Sequence, residues 1–299
     1  KIFALEVYLD TLVKIDTFEM ANTSMSCWRV MRCATNQDAI SLSCHVIQMS
    51  NLFLGIIGNS LLIVAHWKDP FRVFKNTTSL FVRNIAIIDV IVAFLWIIRL
   101  ATILSGKKLE ALLVIWLGFT VLSPWAFLCL AIERFLSIAF PLWHRARVTT
   151  HNCRQVIIGT WIAHTSMYTF TAFILDDTLQ GNVILLFSIV FFLCSYAFYF
   201  ATYVALRRQR NEFQKKQDIS ESVLNAMKAR QKHQKRFLVT IAIVCFMLTI
   251  TFLPLVGMRM IAVLLENFLK GRRIRQIHDG LLVLLSINFL INPIIYLIR

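Results

Sequence analysis

Long apolar runs dominate this 299-residue sequence and restrict what it can fold into. Hydrophobic residues make up 58% of the chain, which excludes an ordinary soluble domain. An α-helix needs about 20 apolar residues to cross a bilayer. Seven such runs, numbered here as spans one to seven, lie near residues 42–66, 78–103, 111–139, 156–175, 182–206, 237–265 and 278–298. Because the runs are continuous rather than alternating, they predict helices and not a β-barrel.

Basic residues are unevenly distributed between the spans and predict the orientation of the chain. Lysine and arginine concentrate in the links between spans one and two, three and four, and five and six. The positive-inside rule makes this side, which includes the C-terminus, cytoplasmic. The link between spans six and seven, with its own basic residues at 270–275, is an exception. The net charge of +15 suits an anionic inner leaflet, and no aromatic-interleaved motif for nucleic acid occurs.

The predicted fold is an all-α membrane protein, a seven-transmembrane helix bundle with an extracellular N-terminus and a cytoplasmic C-terminus. Residues 1–41 form an extracellular N-terminal segment, and residues 42–299 form the membrane domain. Within it, residues 207–236 form a long, polar cytoplasmic loop. Because the chain begins with Lys1 and ends at Arg299, soon after span seven, we expect it to be a piece of a longer protein.

The N-terminal segment carries two extracellular signals. Asn22 begins the glycosylation sequon Asn22-Thr23-Ser24, so we expect a glycoprotein. Cys27 and Cys33 are candidates for a disulfide, although their spacing does not establish one.

Polar groups inside the spans are candidate functional residues, because such groups are costly in hydrocarbon. Pro293, in Asn292-Pro293-Ile294-Ile295-Tyr296, removes a backbone hydrogen bond and loosens span seven. Asp89 in span two needs a partner or a cation. Ser123, Asn288 and Asn292 lie at comparable depth. These groups either hold a hydrated Na⁺ or a proton, or form an interhelical hydrogen-bond network without an ion.

The end of span three carries an acid beside an arginine, in Glu133-Arg134-Phe135. Such a pair can break and expose the cation, although an arginine at this depth also occurs simply as a snorkelling residue. Pro141-Leu142 follows in the link to span four.

Taken together, these motifs resemble a rhodopsin-like (class A) G protein-coupled receptor across about residues 42–298. The matching residues are Gly58 and Asn59, Asn84 and Asp89, Glu133 to Phe135, Trp161, Tyr203, Phe252 to Pro254, and Asn292 to Tyr296. The resemblance implies a plasma-membrane receptor that converts binding of an extracellular ligand into activation of a heterotrimeric G protein. Outward movement of span six would couple the two events.

The resemblance also implies roles at the cytoplasmic end. Arg134 would engage the G protein, and Leu142 would insert into a hydrophobic socket on it. Tyr203 and Tyr296 would stabilise the open arrangement through water.

The resemblance implies two further features within the membrane. Phe252 stands above Pro254 where most members carry tryptophan. This change alters the span-six residue that the family uses as a toggle. The implied sodium pocket comprises Asp89, Ser123, Asn288 and Asn292. Sodium is the only cofactor-like ligand that we expect, as an allosteric ion.

Several residues depart from the family pattern. Leu109 occupies the span-three position of the usual disulfide, and residues 176–182 hold no cysteine. Ser195 stands near the usual span-five proline, and Pro124 replaces an aliphatic residue in span three. In lacking both the disulfide and the span-five proline, the chain is similar to the branch of melanocortin, lysophospholipid, cannabinoid and adenosine receptors. The cysteines that melanocortin receptors carry in the third extracellular loop are absent.

The usual acidic partner of Arg134 at the base of span six is also missing. Gln234 stands there, and no acid occurs from Ser222 to Leu265. Glu133 is then the only near partner, so we hypothesise a receptor with measurable ligand-independent activity.

The ligand pocket implied by the resemblance includes Arg99, Trp116, Phe252 and Arg259. Trp116 stands where amine receptors carry aspartate, and Ser286 where opsins carry the retinal lysine, so neither ligand is expected. Two guanidinium groups suit a carboxylate or phosphate, which leaves a lipid, a peptide or a small acid as ligand. Alternatively, each arginine snorkels to the outer interface or pairs with Asp176, Asp177 or Asp279.

Two other functional classes receive little support. A transporter would need internal repeats or a polar pore stripe, and neither is evident. An enzyme is not expected, because no Ser/His/Asp set or metal-binding His/Glu set converges in the sequence.

Overall fold

A computed structural model describes residues 38–68, 76–104, 110–174, 177–215 and 272–297, together with separate positions and short runs between 229 and 258. Within these ranges every residue is helical except residues 76, 140 and 148–149. The described part of the chain is therefore all-helical, as predicted.

Six long helices and one short helix have continuous bounds among the described residues. Spans one, two, three, four, five and seven form the helices Asp38–Lys68, Thr77–Leu104, Glu110–Ala139, Thr150–Ile174, Asp177–Lys215 and Arg272–Leu297. Each begins before its apolar run, because helical hydrogen bonding continues into the interface, where water satisfies the free backbone groups. A short helix, Pro141–Arg147, lies between spans three and four. Its first residue is proline, whose fixed φ suits the first helical position.

Five of the described helices contain segments long and apolar enough to cross a membrane. These segments are Ile40–Lys68, Thr77–Thr102, Gly118–Ala139, Leu186–Gln209 and Gln276–Ile294. The span-four helix is not among them, because polar residues such as His164 and Thr165 lower its mean hydropathy. Span six is described only at separate positions. The protein is therefore a multi-pass membrane protein.

The helices pack side by side around a shared apolar core. Span seven packs along span one, span three along span five, and span two between spans one and three. Trp96 and Phe127 are the largest fully buried side chains among the described residues. Other large apolar side chains point away from the core, with Phe53 62% and Phe94 57% exposed. Such outward apolar surface is expected where a helix faces lipid.

Spans one and seven approach closely where span one carries glycine. A Cβ added at Gly55 would lie 2.8 Å from Phe289 Cβ and 3.0 Å from its backbone carbon and oxygen. A Cβ added at Gly58 would lie 2.8 Å from Pro293 Cγ. Asn59 donates its side-chain amide to the carbonyl oxygens of Gly55 and Phe289, at 2.9 and 3.0 Å. The glycines thus bring span one against span seven beside its internal proline.

We expect Gly55→Ala to destabilise the protein, because the new methyl group would meet span-seven backbone that cannot move freely. Overpacking costs about 1–3 kcal/mol, and about 1 kcal/mol of helix propensity gained from alanine offsets part of it. Gly159→Ala is the matched control, since a Cβ there meets nothing within 4 Å. The measurement is the melting temperature of the purified protein. Equal melting temperatures for the two variants would contradict this prediction.

Candidate functional site

A buried carboxylate in the middle of span two is bonded to span seven. Asp89 is 3% exposed, and Asn292 Nδ2 donates a hydrogen bond to Asp89 Oδ2 at 2.9 Å. On the other side of span two, Trp161 Nε1 of span four donates to Asn84 Oδ1 at 2.9 Å. Span two is therefore joined to spans four and seven by polar residues that were already identified from the sequence.

The other two residues of the predicted sodium set are placed differently. Asn288 lies one turn before Asn292 on the same face of span seven, and its Nδ2 donates to Thr251 Oγ1 of span six. Ser123 is partly buried and forms no hydrogen bond within the described ranges. Asn288 Oδ1 is buried and has no hydrogen-bond partner in the described part of the chain. A carboxylate and an amide oxygen are ligand types that hard cations take, and the sodium site on these residues stays a prediction.

The acid and the arginine at the end of span three form a two-point ion pair. Arg134 Nε donates to Glu133 Oε2 at 2.7 Å, and its terminal Nη2 donates to Glu133 Oε1 at 2.8 Å. Glu133 is 4% exposed. Two charge-assisted hydrogen bonds to one carboxylate fix both the position and the direction of the guanidinium. The structure thus holds Arg134 against its sequence neighbour.

Glu133 has three more partners, which sequence reasoning did not identify. Thr77 Oγ1 donates to Glu133 Oε1 at 2.7 Å, and Thr78 Oγ1 lies 3.2 Å from Oε2. His144 Nε2 of the short helix lies 3.2 Å from Oε1. These residues come from the start of span two and from the short helix, so only the packing of three helices brings them to one carboxylate. We call Glu133, Arg134, Thr77, Thr78 and His144 the cytoplasmic cluster, after the side on which the sequence predicts it.

Two of the predicted coupling residues near this cluster are exposed. Leu142 is 85% exposed on the short helix that carries His144, and Tyr203 of span five is 47% exposed. Tyr296 lies within the span-seven helix, but its side chain is outside the described residues. The structure therefore places Leu142 where a partner protein can reach it.

The predicted toggle residues Phe252 and Pro254 belong to span six, and Phe252 contacts span five. Phe252 is partly buried, with its ring centroid 5.6 Å from that of Phe192 in span five. Tyr196 and Thr249 make a second contact between these spans, with their hydroxyl oxygens 2.7 Å apart. Pro254 is exposed.

Spans two, three and seven form an aromatic cluster that contains a cation. We call Trp96, Arg99, Trp116 and Phe289 the outer cluster, after the side on which the sequence predicts it. The guanidinium carbon of Arg99 lies 4.9 Å from the centroid of the Trp116 ring. Trp96 packs between Trp116 and Phe289, at centroid distances of 5.4 and 6.0 Å. Attraction of the cation to the ring holds Arg99 in the cluster. Two of the predicted pocket residues, Arg99 and Trp116, are therefore in contact.

Asp279, one of the alternative partners of Arg99, is engaged elsewhere. Ser41 Oγ donates to Asp279 Oδ2, and His278 Nδ1 lies 3.7 Å from Oδ1. Gln48 Nε2 donates to the Asp279 carbonyl oxygen at 3.2 Å. Within the described residues, the Arg99 guanidinium forms neither an ion pair nor a hydrogen bond. It is a partly buried cation that lies within electrostatic reach of Asp279 but is not paired with it directly.

Buried polar atoms near this cluster also lack partners. Trp96 Nε1, Trp116 Nε1 and Gln48 Oε1 are buried and have no hydrogen-bond partner among the residues described. The exposed fractions of these side chains are 0%, 5% and 0%. Because more than about 90% of buried polar groups in proteins are paired, these atoms are available to a water molecule or to a ligand. Sequence reasoning identified Trp116 but missed Trp96 and Gln48, which lie in otherwise apolar runs.

Some predicted residues lie outside the described part of the chain. They are Asn22, Cys27, Cys33, Leu109, Asp176, Gln234 and Arg259. Their predicted roles stay predictions.

Comparison with known families finds a match in the second half of the chain. The family model described as 7 transmembrane receptor (rhodopsin family) matches residues 176–296, from the start of span five to the tyrosine that closes the span-seven motif. Outside that range, spans two to four contribute the Asp89–Asn292 and Trp161–Asn84 contacts and the Glu133–Arg134 pair. Residues 176–296 therefore match the rhodopsin family of seven-transmembrane receptors, whose members are receptors and not enzymes.

Proposed function

We propose that this receptor activates a heterotrimeric G protein at the plasma membrane when an extracellular ligand with an acidic group binds. The single observation that carries the proposal is the cytoplasmic cluster, in which Glu133 holds Arg134 by two short hydrogen bonds. We further propose seven spans with the N-terminus outside, because the basic links then face the cytoplasm.

The cytoplasmic cluster suits a switch because its ion pair can open. When span six moves outward, a G protein segment can approach Arg134 and compete with Glu133 for the guanidinium. Glu133 keeps its hydrogen bonds from the two threonines and so need not become an unpaired buried charge. Leu142, on the short helix tied to Glu133 through His144, then offers an apolar side chain to the same partner.

Polar contacts along span seven provide a route from the outer cluster to this switch. Phe289 touches Trp96 in the outer cluster, and its carbonyl oxygen accepts a hydrogen bond from Asn59. One residue before it, Asn288 bonds to Thr251 of span six. A shift of span seven on ligand binding therefore acts directly on span six.

The outer cluster supports an acidic ligand. A carboxylate or phosphate near Arg99 would receive charge-assisted hydrogen bonds and could also accept from the two unpaired tryptophan N–H groups. Acidic lipids, acidic peptides and small acids all satisfy this chemistry. A biogenic amine does not, because its cation would meet the Arg99 cation.

A G protein activation assay tests the proposal. Cells expressing the receptor and sensors for each Gα class are screened with fatty acids, lysophospholipids, acidic peptides, nucleotides and small carboxylic acids. Arg134→Ala, checked for surface expression, is the control that should abolish every response. If no sensor responds to any compound and the signal without ligand equals that of mock-transfected cells, the proposal is wrong.

We expect sodium to stabilise the receptor through Asp89. At a sodium concentration about five times its Kd, the expected gain is about 1 kcal/mol, or about 2–4 °C in melting temperature. The measurement compares melting temperatures of the purified receptor in NaCl and in choline chloride. Asp89→Asn keeps the side-chain shape and removes the charge, so it should abolish the difference. A sodium effect of the same size in Asp89→Asn would exclude this site.

A further inference from the structure

A groove opens on the surface between the ends of spans three and five. Its volume is about 620 Å³, and its walls are formed by Phe135 and Phe140 on one side and by a stripe of span five on the other. Phe135 and Phe140 are in edge-to-face contact, with ring centroids 6.0 Å apart. The groove is distinct from the cytoplasmic cluster and from the outer cluster, because it shares no residue with either.

The span-five stripe changes character along its length. Phe200, Val204, Arg208 and Glu212 are each four residues apart and so share one face of the helix. The twelve steps from the first of these residues to the last extend about 18 Å at 1.5 Å per step. The upper half is apolar and the lower half is charged, and the membrane-crossing segment ends at Gln209, between the two charges. The groove therefore runs from hydrocarbon depth to the membrane surface.

Exposure and hydrogen bonding show which side chains of the groove are open to a ligand. Phe200 is 70% exposed and Phe140 53% exposed, so apolar surface faces the membrane on both walls. Arg208 is exposed and forms no ion pair or hydrogen bond among the residues that the structure describes. Gln209 Nε2 donates to the Ile138 carbonyl oxygen at 2.5 Å, which ties span five to the end of span three. Among the residues that the structure describes, the groove thus has an apolar length and one free cation, Arg208, at its polar end.

We propose that this groove binds an anionic phospholipid, with one acyl chain along the apolar stripe and the phosphate on Arg208. The hydrocarbon of one bilayer leaflet is about 15 Å deep. The apolar part of the stripe, from Phe200 to Val204, covers about 6 Å of that depth and would contact the part of the acyl chain nearest the headgroup. A guanidinium pairs with phosphate through two hydrogen bonds, whereas the carboxylate of Glu212, one turn further from the membrane, repels the phosphate back toward Arg208. Because Phe140 caps the short helix, the lipid would also touch the element that carries Leu142.

Lipid binding to the purified receptor, counted by native mass spectrometry, tests the proposal. The probes are phosphatidylglycerol and phosphatidylcholine with the same acyl chains. Arg208→Gln removes the free cation, and Ala205→Phe fills the groove. The matched controls are Arg154→Gln, an exposed arginine at the start of span four, and Ile158→Phe, a side chain 58% exposed on the same helix. All variants are first checked for an unchanged melting temperature. If Arg208→Gln fails this check it is replaced by Arg208→Ala, and if Ala205→Phe fails it is replaced by Val204→Phe.

The expected result is that wild type and both controls bind phosphatidylglycerol about ten-fold more tightly than phosphatidylcholine, as charge-assisted pairing predicts. Both groove variants should lose this preference. If only Arg208→Gln has an effect, the lipid is held by surface charge without the groove. If only Ala205→Phe has an effect, the groove takes a neutral apolar molecule. Either result, or no effect of both variants, overturns the proposal. None of these outcomes depends on G protein activation, so the proposed function is tested separately.

Discussion

Replacing Glu133 with glutamine is expected to raise ligand-independent signalling by about ten-fold or more, within the ceiling of the assay. Glutamine keeps the shape of glutamate and removes the charge that holds Arg134 at two points. A hydrogen bond to a charged group contributes about 1.5–3 kcal/mol, so its loss shifts the equilibrium between held and released arginine by at least about ten-fold. Because residues 222–265 contain no acid, that segment of span six offers no carboxylate to restrain Arg134 instead.

The measurement is G protein activation without added ligand, divided by receptor number at the cell surface. Thr77→Val removes a hydrogen bond from an uncharged hydroxyl to Glu133, and His144→Ala removes a longer contact to it. Each variant should therefore raise the signal less than Glu133→Gln. Glu133→Gln combined with Arg134→Ala should signal no more than mock-transfected cells. A Glu133→Gln variant that signals at the wild-type level would show that this ion pair does not restrain the receptor.

Replacing Arg99 with alanine is expected to lower the potency of an acidic agonist by about 30-fold or more. Truncating one partner of a desolvated charge pair costs about 2–5 kcal/mol, much of it from the ligand charge left unpaired. Arg99 suits this role because it lies over the Trp116 ring and forms no direct hydrogen bond or ion pair among the residues described, although Asp279 lies within electrostatic reach. Arg99→Lys keeps the charge but loses the planar two-point geometry, so an intermediate potency is expected.

The sharpest control for Arg99 is a pair of ligands. The acid that is most potent in the screen is compared with its own amide or methyl ester on wild type and Arg99→Ala. Wild type should prefer the acid strongly, and the variant should respond to both alike. If Arg99→Ala retains the wild-type preference for the acid, Arg99 does not bind the acidic group. If the screen yields only agonists without an acidic group, the ligand class proposed here is wrong.

The sequence predicted the helices and most of the residues that carry the family match. Hydrophobic runs set by bilayer thickness are a local signal, and they located six long helices to within a few residues at most ends. The largest difference is the span-five helix, which continues to Lys215 because nothing in its polar extension breaks a helix. The short helix Pro141–Arg147 was not predicted, because seven polar and apolar residues carry too little periodicity to indicate it.

Partners inside the bundle were harder to predict than the polar residues themselves. Asp89 and Asn292 were expected together and are bonded, whereas Ser123 of the same set forms no hydrogen bond in the described part of the chain. Asn288 bonds instead to Thr251 on span six. Which of several polar residues at one depth become partners depends on how each helix is rotated, and a single sequence carries little information about rotation.

By itself, the sequence determined that the chain is helical, that it lies in a membrane and which family it resembles. The first two follow from the length of the apolar runs, and the third follows from residue types at fixed spacing. The tertiary structure alone decided which side chains act together. Glu133 meets Thr77, Thr78 and His144 only because spans two and three and the short helix converge at one end. Arg99 forms no direct ion pair with Asp279 among the described residues, because the Asp279 carboxylate is bonded to Ser41 and lies beside His278. These choices rest on contacts between residues far apart in the chain, which the packing of the helices creates.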